Sequence, residues 1–253
     1  MNRVGLLVAL AIAVVAGLLF GLFPQLDIAI SKFFIPSGDS GFVQPGTAID
    51  LLRRTSKWMT AALVLPAFIA GIVKLILPRR PMLMPARAAI FLIGTLALAP
   101  GLIANVVLKD HWGRSRPYAV TEFGGPEKFS AWWDPRGDCI GNCSFVSGEA
   151  SGVFWTLAPA ALAPPAWRPL AYGASIAFGA GVGIMRIAFG AHFFSDVVFA
   201  GVFTFLIIWA VHGLLYRWPR TRMSDAALET RIGRLTAPIY DTFAKRKDQK
   251  KQG

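Results

Sequence analysis

The stretch that most constrains this chain is residues 4–24, VGLLVALAIAVVAGLLFGLFP, which carries no charged side chain. About 20 apolar residues rising 1.5 Å each make a helix long enough for roughly 30 Å of hydrocarbon. Further apolar runs cover residues 57–78, 88–108, 146–163, 170–189 and 193–216. Charged residues make up only 16% of the chain, against about 25% in a soluble domain. Mean hydropathy is +0.52. Inside a bilayer each backbone N–H and C=O must be paired within its own segment, so such runs are helices. The expected fold is all-α, a polytopic membrane protein with six transmembrane helices. Residues 26–35 are amphipathic and precede the turn residues Pro36, Ser37, Gly38, Gly41, Pro45 and Gly46. That pattern predicts a short helix lying in the interface plane. Arg3 before the first run is compatible with a signal peptide. No small-x-small cleavage site and polar mature start follow it, so a retained span is expected.

The net charge of +12 matters less than where the charges lie. Arg3, Arg79, Arg80, Arg87 and Arg168 fall on one side of a six-span layout. Arg217, Arg220, Arg222, Arg231, Arg234, Lys245, Arg246, Lys247, Lys250 and Lys251 follow on that side, against only Asp225, Glu229, Asp241 and Asp248. Lys and Arg concentrate in cytoplasmic loops. The chain therefore divides into a membrane domain, residues 1–216, and a basic cytoplasmic tail, residues 217–253, which reads as a solvated or lipid-surface segment. No basic stripe with interleaved aromatics lies outside the membrane flanks, so no nucleic-acid partner is expected. Residues 25–56, 109–145 and 186–192 fall on the outer face, with Trp112, Trp132 and Trp133 as candidate interface anchors. Cys139 and Cys143 lie there too, in an oxidising compartment if that face is a bacterial periplasm. Either a disulfide or a pair of free thiols fits their spacing, and a zinc site would need more ligands than this loop offers.

Three clusters meet on that face. Lys109 is followed after six residues by Arg116 and Pro117; Ser144 to Glu149 read SFVSGE; Arg186, His192 and Asp196 are spaced by six and four. Singly, each has a plain explanation: a snorkelling Lys, a Ser helix cap, an interfacial Arg. Together they gather three cations and a Ser-Gly helix start with few acids to balance them. Charge at a membrane costs about 2.5–3.5 kcal/mol per residue near the helix centre and marks function by default. Phosphate is the anion that Arg, Lys and helix-start N–H groups bind together. His192 and Asp196 share a helix face, so Asp196 can keep one ring nitrogen protonated while the other attacks phosphorus. Glu149 is placed to protonate the leaving oxygen and later to activate water. That job asks for an environment raising its proton affinity, which a partly apolar membrane edge supplies.

The three clusters resemble the signature of the type 2 phosphatidic acid phosphatase superfamily: K-x6-RP, PSGH and SR-x5-H-x3-D. Lys109-x6-Arg116-Pro117 matches the first fully. Val146-Ser147-Gly148-Glu149 has Val for Pro and Glu for His in the second. Met185-Arg186-x5-His192-x3-Asp196 has Met for Ser in the third. The resemblance implies that Lys109, Arg116, Arg186, Ser147 and the Gly148 backbone bind phosphate. It implies His192 as the nucleophile forming a phosphohistidine, Asp196 as its orienter, and Glu149 at the position of the leaving-group acid. It implies no metal or other cofactor. His111 is expected to be a bystander, and His212 structural. The implied substrate is a lipid phosphate or diphosphate in the outer leaflet of a bacterial inner membrane. Lipid A or an isoprenyl diphosphate comes first; phosphatidylglycerol phosphate or phosphatidic acid follows. The preference for lipid A rests on likeness to the family, with the Asp110-x2-Gly113-Arg114 insert beside it. A lipid phosphotransferase using the same phosphohistidine and a non-catalytic lipid-phosphate binder stay open as alternatives. A soluble vanadate haloperoxidase shares the pocket type, but six spans argue against it. Oligomeric state is not legible.

Overall fold

A computed structural model describes residues 1–35, 41–43 and 46–252, without the side chains of residues 47–50, 52, 239 and 241–252. Pro36, Ser37, Gly38 and Pro45 of the expected turn lie outside the described residues, as do the side chains of Asp241, Lys245, Arg246, Lys247, Asp248, Lys250 and Lys251. Among the described residues the chain is helical, and its β pairing is one isolated bridge between Val120 and Glu127.

In order, the helices are α1 (Arg3–Leu22), α2 (Gln25–Lys32), α3 (Thr47–Ile76), α4 (Ala86–Leu96), α5 (Gly148–Phe154), α6 (Leu157–Leu162), α7 (Arg168–Ala188), α8 (Phe194–His212) and α9 (Asp225–Gln252). Among the described residues, five helical stretches are long and apolar enough to cross a membrane: Arg3–Leu22, Arg53–Ile76, Ala86–His111, Arg168–Ala188 and Phe194–Arg217. The expected interfacial piece is α2, with Asp27 in its first turn and Lys32 in its last, each complementing the helix dipole. The expected fourth span, residues 146–163, is instead two short helices, α5 and α6. Pro159 has no N–H to return to the Trp155 carbonyl, so the ladder tightens there and Ala158 N–H takes that carbonyl at 2.8 Å. Trp155 is fully buried at the break and donates its indole N–H to Thr95 Oγ1 at 2.9 Å.

A second proline shapes the run after α4. Pro100 lacks the donor that an α-helix requires, and residues Ala97–Leu108 form a wide π-helix around it. Asn105 donates its side-chain amide back to the Pro100 carbonyl. The π-helix ends at Lys109, whose N–H closes on Ala104 O.

The chain groups into two compact units, residues 1–60 with 95–210, and residues 61–94 with 211–253. The first contains an aromatic core: Phe145 stacks on Trp112 at 5.1 Å, and Trp132 packs on Phe199 at 4.3 Å. Trp112 also donates its indole N–H to Trp132 O at 2.6 Å. These two tryptophans are partly buried and turn their rings onto Phe145 and Phe199, whereas Trp133 is exposed. In the second unit Lys74 is buried and binds Glu229 at 3.0 Å and the Arg80 carbonyl at 2.8 Å. Arg87 holds Asp225, at the start of α9, through its backbone N–H and its guanidinium.

Candidate functional site

The residues of the three clusters lie in the first unit. The segment after Lys109 is bent by Gly113, whose φ of +69° suits glycine and whose Cβ would lie 2.6 Å from the Pro135 carbonyl. The bend carries Arg114 inward and Arg116 outward. Cys139 and Cys143 are joined in a disulfide. The bridged loop lies against this segment: Cys139 N–H donates to Gly113 O and Cys143 N–H to Lys109 O. Its Asn142, at φ 53°, accepts from Arg116 through both its carbonyl (3.0 and 2.7 Å) and its side-chain oxygen (2.8 Å). The loop thus fixes the direction of a cation that the motif assigns to phosphate. Replacing both cysteines by Ser is expected to raise KM for a phosphorylated lipid about three- to tenfold, equivalent to roughly 0.6–1.4 kcal/mol, with a smaller change in kcat. Steady-state kinetics with and without reductant checks this.

His192 and Asp196 bracket the start of α8. His192 is 2% exposed and Asp196 fully buried. Asp196 sits at the third helical position and accepts the Phe193 backbone N–H at 2.8 Å, so it also caps the helix. Its carboxylate lies 4.0 Å from His192 Nδ1. The closer partner of that nitrogen is the Ser144 carbonyl at 2.7 Å. A carbonyl only accepts, so Nδ1 carries the hydrogen and Nε2 the lone pair. Asp196 acts one step further back, accepting the Ser144 hydroxyl. Burial, then the charges of Arg186 and Arg116, hold the His192 imidazole well below its ordinary pKa, and it rests neutral.

Ser147 caps α5, accepting the Ala150 N–H at 3.4 Å. At Gly148 a side chain is excluded, since a Cβ would lie 2.3 Å from Asn105 Oδ1. Glu149 follows, half-buried. Its Oε1 is 2.8 Å from Arg53 Nε and 3.2 Å from Lys57 Nζ, and its Oε2 is 3.4 Å from Arg186 Nε. The last two atoms are buried and make no hydrogen bond, meeting only as this ion pair. Three cations around one carboxyl favour its ionised form, contrary to the raised proton affinity expected from an apolar membrane edge. Lys109 completes the group, with Arg116, Arg186 and Glu149 as charged neighbours.

Behind the site lies a buried ionic network that sequence reasoning missed. The fully buried Arg114 guanidinium binds Asp27 at 2.8 Å, Ser195 Oγ at 2.8 Å, the Asp196 carboxylate and, at 3.1 Å, Ser130 O. Asp27 in turn accepts the Ser195 N–H at 3.0 Å and its hydroxyl at 2.6 Å. Arg114 stands two residues before the motif arginine, which is the one signal that could have drawn attention to it. Asp27, Arg53 and Lys57 lie far from the three clusters in sequence and gave none. His111 binds the Val106 and Val107 carbonyls at its own helix end.

Residues 88–223 match the sequence profile of the PAP2 superfamily. A lipid A 4'-phosphatase of Francisella tularensis subsp. novicida (strain U112) is 37% identical over 223 residues, 86% of this chain and 98% of that protein. A lipid A 4'-phosphatase of Rhizobium leguminosarum is 41% identical over 118 residues, 47% of this chain and 50% of that protein. One of Rhizobium etli (strain ATCC 51251 / DSM 11541 / JCM 21823 / NBRC 15573 / CFN 42) is 38% identical over 118 residues, 47% and 46% of the two chains. No solved structure matches the chain.

Proposed function

Because the chain belongs to the PAP2 superfamily, we propose that it is a membrane lipid phosphatase acting through a phosphohistidine on His192, with lipid A as the favoured substrate. Similarity over 98% of a relative named a lipid A 4'-phosphatase supports the substrate class. The observation that carries the mechanism is the neutral His192, its Nδ1 hydrogen on the Ser144 carbonyl and its Nε2 lone pair within electrostatic reach of Arg186, Arg116 and Lys109.

In this mechanism Lys109, Arg116 and Arg186 bind the phosphate oxygens, with Ser147 and the α5 start beside them. Nε2 attacks phosphorus, the bond to the lipid oxygen breaks, and Glu149 gives that oxygen its proton. Water then loses a proton to Glu149 and attacks the phosphohistidine, releasing inorganic phosphate and His192. Asp196 positions His192 through Ser144. No step needs a metal. The catalytic unit is residues 1–216 and the tail is residues 217–253; with α5 and α6 together making the sixth passage, both termini are cytoplasmic and the site faces the periplasm of a bacterial inner membrane.

The test is phosphate release by the purified protein from lipid A, isoprenyl diphosphates, phosphatidic acid and phosphatidylglycerol phosphate, with divalent metals chelated. Free labelled phosphate supports hydrolysis. Label moving to a second lipid indicates a phosphotransferase, and no release from any lipid indicates a binding protein. Glu149→Gln is expected to lower kcat on lipid A about 100-fold or more, the usual worth of general acid–base catalysis. On p-nitrophenyl phosphate, whose leaving group needs no proton, the loss should be under about tenfold in the phosphorylation step. Full turnover by Glu149→Gln on lipid A clears Glu149 of the acid role.

A further inference from the structure

Glu149 presents a conflict within the proposed mechanism, and the resolution proposed here rests on that mechanism. A leaving-group acid must be protonated, yet this carboxyl sits among Arg53 and Lys57 of α3, Arg186 of α7 and Lys109 after α4. Among the described residues no other charged side chain pairs with it. We propose that Glu149 is an ionised placeholder in the empty site and takes up a proton when the substrate phosphate binds, so that the acid exists only in the loaded enzyme.

The geometry supports this through the difference between its two oxygens. Oε2 faces Arg186, whose side chain is 11% exposed, whereas Oε1 faces Arg53 and Lys57, whose side chains are 39% and 60% exposed. The buried cation is the one that the incoming phosphate claims. Arg186 Nε and Glu149 Oε2 are both buried and unbonded, so neither loses a hydrogen bond when Arg186 turns to phosphate. The two exposed pairs that remain are screened by solvent and weak. A phosphate dianion beside Glu149 then acts as like charge in a poorly solvated site, which drives a carboxyl to take a proton. The proton comes from water at the exposed Oε1 side and goes to the lipid oxygen as its bond to phosphorus breaks. The ionised Glu149 is thereby regenerated to accept a proton from the hydrolytic water. Arg53 and Lys57 lie outside the residues that match the family, and together with the buried Arg186 they surround Glu149 with positive charge before substrate arrives.

The probe is tungstate, a phosphate-shaped dianion that does not itself titrate near neutral pH. Calorimetric titration of the full-length protein in detergent at pH 7.5, in buffers of different ionisation enthalpy, counts the protons taken up. Wild-type protein is expected to take up about one more proton per bound tungstate than Glu149→Gln. Its Kd should weaken with rising pH more steeply than the variant's, by up to tenfold per pH unit. Equal uptake by the two proteins assigns the proton to His192 and overturns the proposal, as does no uptake by wild type. Failure of tungstate to bind at all overturns the phosphate-site assignment itself, and this proposal with it. Lipid hydrolysis that persists while proton uptake is absent overturns only the placeholder role.

Discussion

Replacement of His192 by Ala is expected to lower phosphate release by about 10⁴-fold or more, the scale of loss when a covalent nucleophile is removed. Lipid binding should remain within about threefold of wild type, because the cations Lys109, Arg116 and Arg186 are untouched. Single-turnover assays with labelled lipid phosphate separate the two effects, and acid-labile label on the wild-type protein should vanish in the variant. Near-wild-type turnover by His192→Ala would sink the nucleophile assignment. The same residue sets the expected pH dependence. Burial and the neighbouring Arg186 and Arg116 hold its pKa well below 6.5, so the neutral, nucleophilic form persists below that pH. Activity is lost as pH falls through the lowered value, and the acid limb of kcat/KM, which reports the free enzyme, should lie below pH 6.5. Arg116→Gln removes one of the depressing charges, and the limb should move up toward the ordinary histidine value.

The second large effect is expected behind the site. Arg114→Ala leaves Asp27 and Asp196 as two fully buried carboxylates with no cation between them. Removing one partner from a buried ionic group costs about 3–5 kcal/mol. For a chain of this size, that corresponds to a fall in Tm of roughly 6–20 °C. Turnover should fall as well, since Asp196 holds Ser144 and the Ser144 carbonyl orients His192. Asp27→Asn keeps the Arg114–Asp196 pair and is expected to cost less, about 1–3 kcal/mol for a weakened buried hydrogen-bond group. Thermal unfolding in detergent ranks the two, and equal stability of Arg114→Ala and wild type would show the network to be idle.

Much of the site was legible because its chemistry is carried by local spacing. Lys109 to Arg116, Ser147 to Glu149 and Arg186 to Asp196 are each short enough to read as one helix end or one turn. The long apolar runs likewise announce helices, since a bilayer leaves the backbone no other partner. The break of residues 146–163 at Trp155 was also written locally, in Pro159, but the apolar composition masked it. What surrounds Glu149 was not legible. Arg53 and Lys57 meet it across 96 and 92 residues of chain, and nothing in the periodicity of α3 marks that face.

For the opening apolar run, residues 4–24, the sequence alone determined a helix of membrane-crossing length, and α1 is that helix. By itself the sequence also determined which residue types stand ready for phosphate chemistry: three cations, a neutral-range His, an Asp and a Glu. Only the tertiary structure decided their direction and the charges around them. His192 is turned by the Ser144 carbonyl rather than directly by Asp196. Asp196 answers to Arg114 and, through it, Asp27, while Glu149 is surrounded by cations. The physical reason is that charge interactions depend on distance and burial, which chain separation does not encode. Spacing can place a carboxyl on a helix face, but only packing sets which charges surround it.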